Sequence, residues 1–216
     1  MIVATDLGPS DGVSRGIGEI THVNVDQGTA MATTEQREVV HGHQEPQQEH
    51  HWLEKLLGEW EIEGKMETPN GSETTRGQES VRSVGGLWFV AEGYGEMPGG
   101  DHGTTIFTLG YDPSKEKFVG SFIGSMMTHQ WVYEGELDED NDRLVLDTMG
   151  PEFSEDGGMT GKIVPYQDVM EFRDEDHRVL KSHMRDKSGK WRSFMEMHYH
   201  RKSGDNPKTL RGASSR

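Results

Sequence analysis

Cysteine is absent from the 216 residues. That excludes a disulfide scaffold, an iron–sulfur centre, a thiolate zinc site and a cysteine nucleophile. Long apolar runs are absent too. No stretch approaches the roughly 18 residues of a membrane span, so no membrane insertion is expected. The chain does not open with a basic region followed by an apolar stretch, so no secretory leader is read and the expected location is cytoplasmic. Positive charge is scarce: 22 Lys and Arg stand against 38 Asp and Glu, a formal net charge of −16. Nucleic acid is therefore not an expected partner, because phosphate contacts need clustered cations. The P-loop, the dinucleotide fingerprint, G-x-S-x-G and H-E-x-x-H are all missing. The cofactor is thus unknown, and whether the protein is an enzyme is undecided by the sequence.

Hydrophobic residues are also few, at 31%, while glycine reaches 28. The deficit is local. Residues 1–46 hold few large apolar side chains and cannot bury enough surface to offset chain entropy, so they read as a disordered tail. Met31 is an alternative start. Residues 203–216, SGDNPKTLRGASSR, read as a flexible basic tail. Residues 47–202 remain, enough for one domain with a sizeable core.

That domain opens with one helical pattern. Trp52, Leu53, Leu56 and Leu57 share a face, which predicts a short helix over 48–57 with Gly58 as its stop. After Gly58 the pattern changes to strands, at 58–67, 79–84, 87–95, 104–112, 117–124, 129–137, 143–150, 161–173, 177–185 and 190–199. Between them lie turn signals such as TPNGSE, MPGGDHG, DPSK, DEDND and DKSG. Short turns imply antiparallel neighbours, and so many strands in one small domain imply closure. The expected fold is all-β: a closed antiparallel up-and-down β-barrel of about ten strands with one short N-terminal helix.

Gly58-Glu59-Trp60 opens the first strand, and Tyr199, His200 and Arg201 end the last. This resembles the calycin and lipocalin arrangement, a G-x-W at the barrel base with a late Arg crossing the indole. The resemblance implies that Trp60 and Arg201 close the barrel. The segments EHHWLEKLLGEWEIEGKM, GLWFVAEGYGEMPGG, LGYDPSKEKFVGSFI, WVYEGELD, LDTMGP and MEMHYHRK resemble the bacterial family called domain of unknown function 1579, over about residues 48–202. That resemblance implies a calycin-like barrel and brings no settled activity, substrate or cofactor. The opening W-L-x-x-L-L-G-x-W is also similar to nitrobindin-type haem barrels, over the helix and first strand alone.

Strand parity nominates side chains for the interior. Counting back from Arg201 by twos gives Tyr199, Met197, Met195, Ser193 and Trp191. The strand 129–137 gives His129, Trp131 and Tyr133. Glu92 sits in a strand apolar on both faces and is the candidate polar anchor. The expected ligand-binding set is Glu92, His129, Trp131, Tyr133, Met195, Met197 and Tyr199, lining a cavity for a small, mostly apolar ligand. The rival is a filled core. Two alternatives stand beside the binding module: an enzyme using Glu92 and His129 as acid and base, and a haem barrel with His129 as axial ligand. His41, His43, His50 and His51 cluster in sequence without supporting residues, and His198-x-His200 lacks an obvious third ligand, so no metal is expected.

Overall fold

Alternation of small or apolar residues with charged ones sets the architecture of the computed structural model. It describes residues 44–97, 100–138, 142–154 and 158–203. Nearly all of the expected tails, the alternative start at Met31, and His41 and His43 lie outside the described residues. Strands β1 (Gly58–Thr68), β2 (Gly71–Val84), β3 (Trp88–Glu96), β4 (His102–Asp112) and β5 (Lys117–Gly124) are followed by β6 (Trp131–Asp138), β7 (Arg143–Phe153), β8 (Met159–Phe172), β9 (His177–Arg185) and β10 (Trp191–Arg201). Each pairs antiparallel with its sequence neighbours, and β1 pairs with β10, so the sheet closes into an up-and-down barrel. Closure removes both sheet edges.

β2 starts eight residues before the expected position 79. The stretch GSETTRGQ contains no large apolar residue, so it reads as loop. It is nevertheless paired to β1 from Thr68↔Gly71 to Gly58↔Val81, with Thr75 buried inside. β10 also departs from simple alternation. Its register against β9 shifts between Ser193 and Met195. This bulge breaks the expected stripe: Met195, Met197 and Tyr199 face inward, while Trp191 is 41% exposed and Ser193 is exposed.

The helical segment is α1 (Gln48–Leu53) continued by a 3₁₀ turn, Glu54–Leu56. Gly58 has φ +114°, a conformation that lets the chain turn from the 3₁₀ turn directly into β1. The helix plugs one end of the barrel. Leu53 and Leu56 are buried there with Trp60, Phe89, Leu109, Phe118, Leu144 and Phe172. Trp52 sets its ring edge-on to Phe118 and Phe172 and donates from Nε1 to Asp142, 2.6 Å away, which Lys55 also contacts. The plug is thus tied to the β6–β7 turn.

Candidate functional site

The base of the barrel is sealed. Trp60 has no exposed surface, and its indole N–H donates to the Leu56 carbonyl at 2.8 Å. The Arg201 guanidinium lies 4.1 Å from the indole centroid and that of Arg178 lies 4.9 Å away. Arg201 also donates to the carbonyls of Leu57, Lys55 and Glu175. Arg178 is buried, pairs with Glu79, and lies 3.7 Å from the Tyr199 ring centroid. A buried guanidinium needs both a counter-ion and a stacking surface, and it has both here.

Toward the opposite end the packing loosens. Ile62, Met66, Phe107, Phe122, Leu180, Met184, Phe194 and Met195 belong to the core cluster yet are only partly buried. The side chains of the plugged end, Trp60, Leu53, Phe89, Phe118, Leu109 and Leu144, are instead fully buried. The interior is therefore filled at the plugged end, and above it buried side chains such as Leu146, Tyr166 and Trp131 stand among partly buried ones.

Two acids have inward parity among these residues: Glu73, opposite Met66 toward the mouth, and Asp168. Asp168, on β8 between buried Tyr166 and Met170, is partly buried and accepts a hydrogen bond from the Tyr133 hydroxyl at 2.8 Å. The buried Ser182 hydroxyl on β9 donates to the same carboxyl. Desolvation pushes the Asp168 carboxyl above its ordinary range, against the lowering effect of those two bonds and of the His183 imidazole. The Tyr133 hydroxyl is pushed up by burial and by the neighbouring carboxyl. Tyr199 is pushed up too, by burial first and then by Glu79. Phe107 meets Tyr133 edge-on at 5.7 Å. Nearer the mouth, Trp131 packs edge-on to Tyr166 at 4.8 Å, and Tyr166 to Phe194 at 5.9 Å. The Tyr166 hydroxyl donates to the Pro151 carbonyl at 2.7 Å, and burial pushes it up to about 12.

The expected site residues divide. Trp131, Tyr133, Met197 and Tyr199 are buried in the core cluster, and Met195 packs against it. Met197 is close-packed, its sulfur lying against Gly64 and accepting from Thr75 Oγ1 at 3.7 Å. Glu92 is not inside. On β3 the inward residues are Phe89, Ala91 and Gly93, while Glu92 points outward, well exposed, 3.7 Å from Arg82. His129 precedes β6 and is placed at the rim, its Nε2 3.1 Å from the Met149 carbonyl oxygen and its ring edge-on to Trp131. Glu92 and His129 are therefore not brought together, and an acid–base pair of these two has no geometric basis.

Haem does not fit this interior. His129 is turned to a backbone carbonyl, and His50 is buried in the plug, where it accepts from the Gln47 backbone N–H. His177, His198 and His200 stack on the outer face of β9 and β10, with His177 centred 4.5 Å from His200 and 5.3 Å from His198. His177 is the third imidazole that sequence spacing did not show. The rings lie nearly parallel, His177 Nε2 and His198 Nδ1 are hydrogen-bonded to each other at 3.0 Å, and among the described residues no group of three or more His, Asp or Glu could hold a metal ion.

Asp168, Ser182, Leu180, Phe107 and Ile62 were missed by the sequence reading. A signal existed for the first: in the alternate-residue stripe Tyr166, Asp168, Met170, Phe172, the acid shares the inward parity of three large apolar residues.

Two grooves mark the outside of the wall. One, of about 560 Å³, is lined largely by polar and charged residues, among them Glu61, Glu63, Arg76, Gln78, His102 and His200. The other, of about 600 Å³, lies over Val132, Met149, Pro165 and Trp191.

These features define a closed ten-stranded antiparallel barrel, calycin-like in form, with one end plugged and an inward carboxyl above the plug. The chain belongs to the family described as "Protein of unknown function (DUF1579)", which matches residues 45–201. No curated protein matches it. Among solved structures it is similar to Rv2717c from M. tuberculosis, at 13% identity and a TM-score of 0.48, covering 73% of this chain and 99% of that one. It is also similar to the S-type phycobiliprotein lyase CPES from Guillardia theta, at 16% identity and a TM-score of 0.46, covering 74% and 100%. A third likeness is EF1p2_mFAP2b bound to DFHBI, at 8% identity and a TM-score of 0.41, covering 71% and 99%.

Proposed function

We propose that the protein binds a small, mostly apolar molecule inside the barrel, above the plug. The observation that carries this reading is a set of inward-parity apolar side chains above the plug that are only partly buried. Trp60, Leu53, Leu109 and Leu144 keep almost no exposed surface, while Phe107, Leu180 and Met195 stay partly accessible. Apolar surface left accessible inside a closed wall is favourable to cover, at about 25 cal/mol for each Å² removed from water. The lining is mostly aliphatic and aromatic with few polar groups, the composition expected of a small-molecule site. Tyr133, Met195, Met197 and Tyr199 belong to this lining, with Trp131 toward the mouth. Glu92 has no part in it, and His129 serves at the rim.

The test is titration with a neutral fluorescent apolar probe, N-phenyl-1-naphthylamine. Wild-type protein binds one equivalent. Leu180→Trp, which fills the accessible space and spares the sealed base, abolishes binding while its thermal midpoint stays close to wild type. Absence of probe binding to the wild type contradicts the reading, as does binding that survives in a folded Leu180→Trp protein.

A further inference from the structure

We infer that the ligand is an organic cation, an amine or amidine on an apolar body, whose charged head is held by Asp168. The inference rests on the interior-binding reading above and names the chemistry of that same site.

Asp168 is a partly buried inward carboxyl above the sealed base. It shares a register row with Leu146 on β7 and Ser182 on β9, and Ser182 in turn pairs with Met195 on β10. Its partners are both neutral hydroxyls, Tyr133 and Ser182. An ionised carboxylate offers about four lone-pair sites, so two donors leave acceptor capacity for a ligand. The inward cation Arg178 does not supply a counter-charge. It stands four residues before Ser182 on β9, roughly 13 Å deeper along the strand. Its side chain is only 3% exposed and is committed to Glu79 and the Tyr199 ring. The floor therefore offers an anionic head no accessible cation, and the basic group that acts on the carboxyl above it is the His183 imidazole on β9, not a lysine or an arginine.

Two further observations point the same way. The Tyr133 ring, which Phe107 meets edge-on, stands beside the carboxyl, and aromatic faces attract cations. The net charge of −16 draws cations to the protein and repels anions. Desolvation holds the Asp168 carboxyl above its ordinary range even with His183 nearby, the condition of a buried acid short of a counter-ion. A bound ammonium would supply that counter-ion in a water-poor setting, where a charge-assisted hydrogen bond is stronger than a neutral one.

The experiment compares dansyl-labelled undecylamine with dansyl-labelled undecanoate by fluorescence titration of the full chain. Wild type should bind the amine about ten-fold or more tighter than the acid, the difference one charge-assisted hydrogen bond supplies. Asp168→Asn keeps an oxygen for the Tyr133 and Ser182 donors, and should bring the two affinities to within about two-fold of each other. Equal or tighter binding of the undecanoate by wild type overturns the inference and leaves interior binding standing. An amine preference that persists in full in folded Asp168→Asn also overturns it, because attraction by the net charge then explains the preference. Failure of both probes to bind overturns the interior reading itself. If Asp168→Asn does not fold, the wild-type comparison repeated in about 0.5 M salt decides, because salt screens the surface charge far more than a buried contact: a preference that persists supports Asp168, and one that vanishes overturns the inference.

Discussion

Removing the indole of Trp60 tests how the barrel is closed. The ring is fully buried, bonded to the Leu56 carbonyl, and faced by the guanidinium groups of Arg201 and Arg178. Trp60→Ala leaves a cavity between the plug, β1 and β10, and truncation of a buried Trp costs about 3–5 kcal/mol. Arg201→Ala strips the cation from the ring and removes the donor to the Leu57, Lys55 and Glu175 carbonyls. These carbonyls lie near the barrel end, where water can reach them, so about 1–3 kcal/mol is expected. The guanidinium–indole contact lies in both deletions, and such a contact is worth about 0.5–2 kcal/mol. The double variant should therefore be less destabilised than the sum of the singles by about 1 kcal/mol. Urea denaturation followed by near-ultraviolet circular dichroism gives all four corners of the cycle, provided that the urea dependence is unchanged. If Trp60→Ala does not fold, Trp60→Leu keeps apolar bulk, removes the ring face under Arg201 and closes the same cycle. Additivity within about 0.3 kcal/mol would refute the account.

Three other outcomes are expected. Gly150→Ala places a methyl group inside the ring of Trp131; it should cost about 1–3 kcal/mol by overpacking and shift tryptophan emission. Asp142→Ala removes the acceptor of Trp52 and Lys55; it should cost about 1 kcal/mol and speed amide exchange over residues 48–56 more than in the sheet. For Asp168, the raised carboxyl means that the folded chain binds the proton more tightly than the unfolded chain does. Below the unfolded value, about 3.9, both states are protonated and no penalty exists. Above it the unfolded chain ionises first, so wild type should lose stability relative to Asp168→Asn from about pH 4 upward, levelling once the folded carboxyl has ionised. A stability difference between the two proteins that stays flat or reverses over that range contradicts the desolvated acid.

Alternation and turn chemistry made the barrel legible, because inward and outward residues differ in character along most strands. Where they do not differ, the reading failed for a physical reason. β2 begins in GSETTRGQ, whose inward positions are Glu73, Thr75 and Gly77. Near a mouth that water reaches, strand pairing needs no apolar side chain. In β3 the outward positions carry Trp88, Val90 and Tyr94, so the flanks of Glu92 look apolar on both faces. Only the register with β2 and β4, Ala91 opposite Val81 and Phe107, fixes which face is inside. The bulge between Ser193 and Met195 shifts parity without leaving a glycine or proline to mark it. Asp168 was visible as an acid in an apolar stripe, but its meeting with Tyr133 depends on side chains reaching over β7 from β6 to β8. No local pattern encodes that distance.

Methionine-methyl NMR tests the central claim most directly, since methionines lie on both faces of the wall. Met66, Met184 and Met195 face the accessible interior, while Met149 and Met159 are exposed on the outside, at 50% and 68%. Titration of the dansyl amine into methyl-labelled protein should move the resonances of Met66, Met184 and Met195 and leave Met149 and Met159 in place. Shifts confined to Met149, in the outer groove with Val132 and Trp191, with the interior methyls unmoved, would place the ligand on the outer wall and contradict binding inside the barrel.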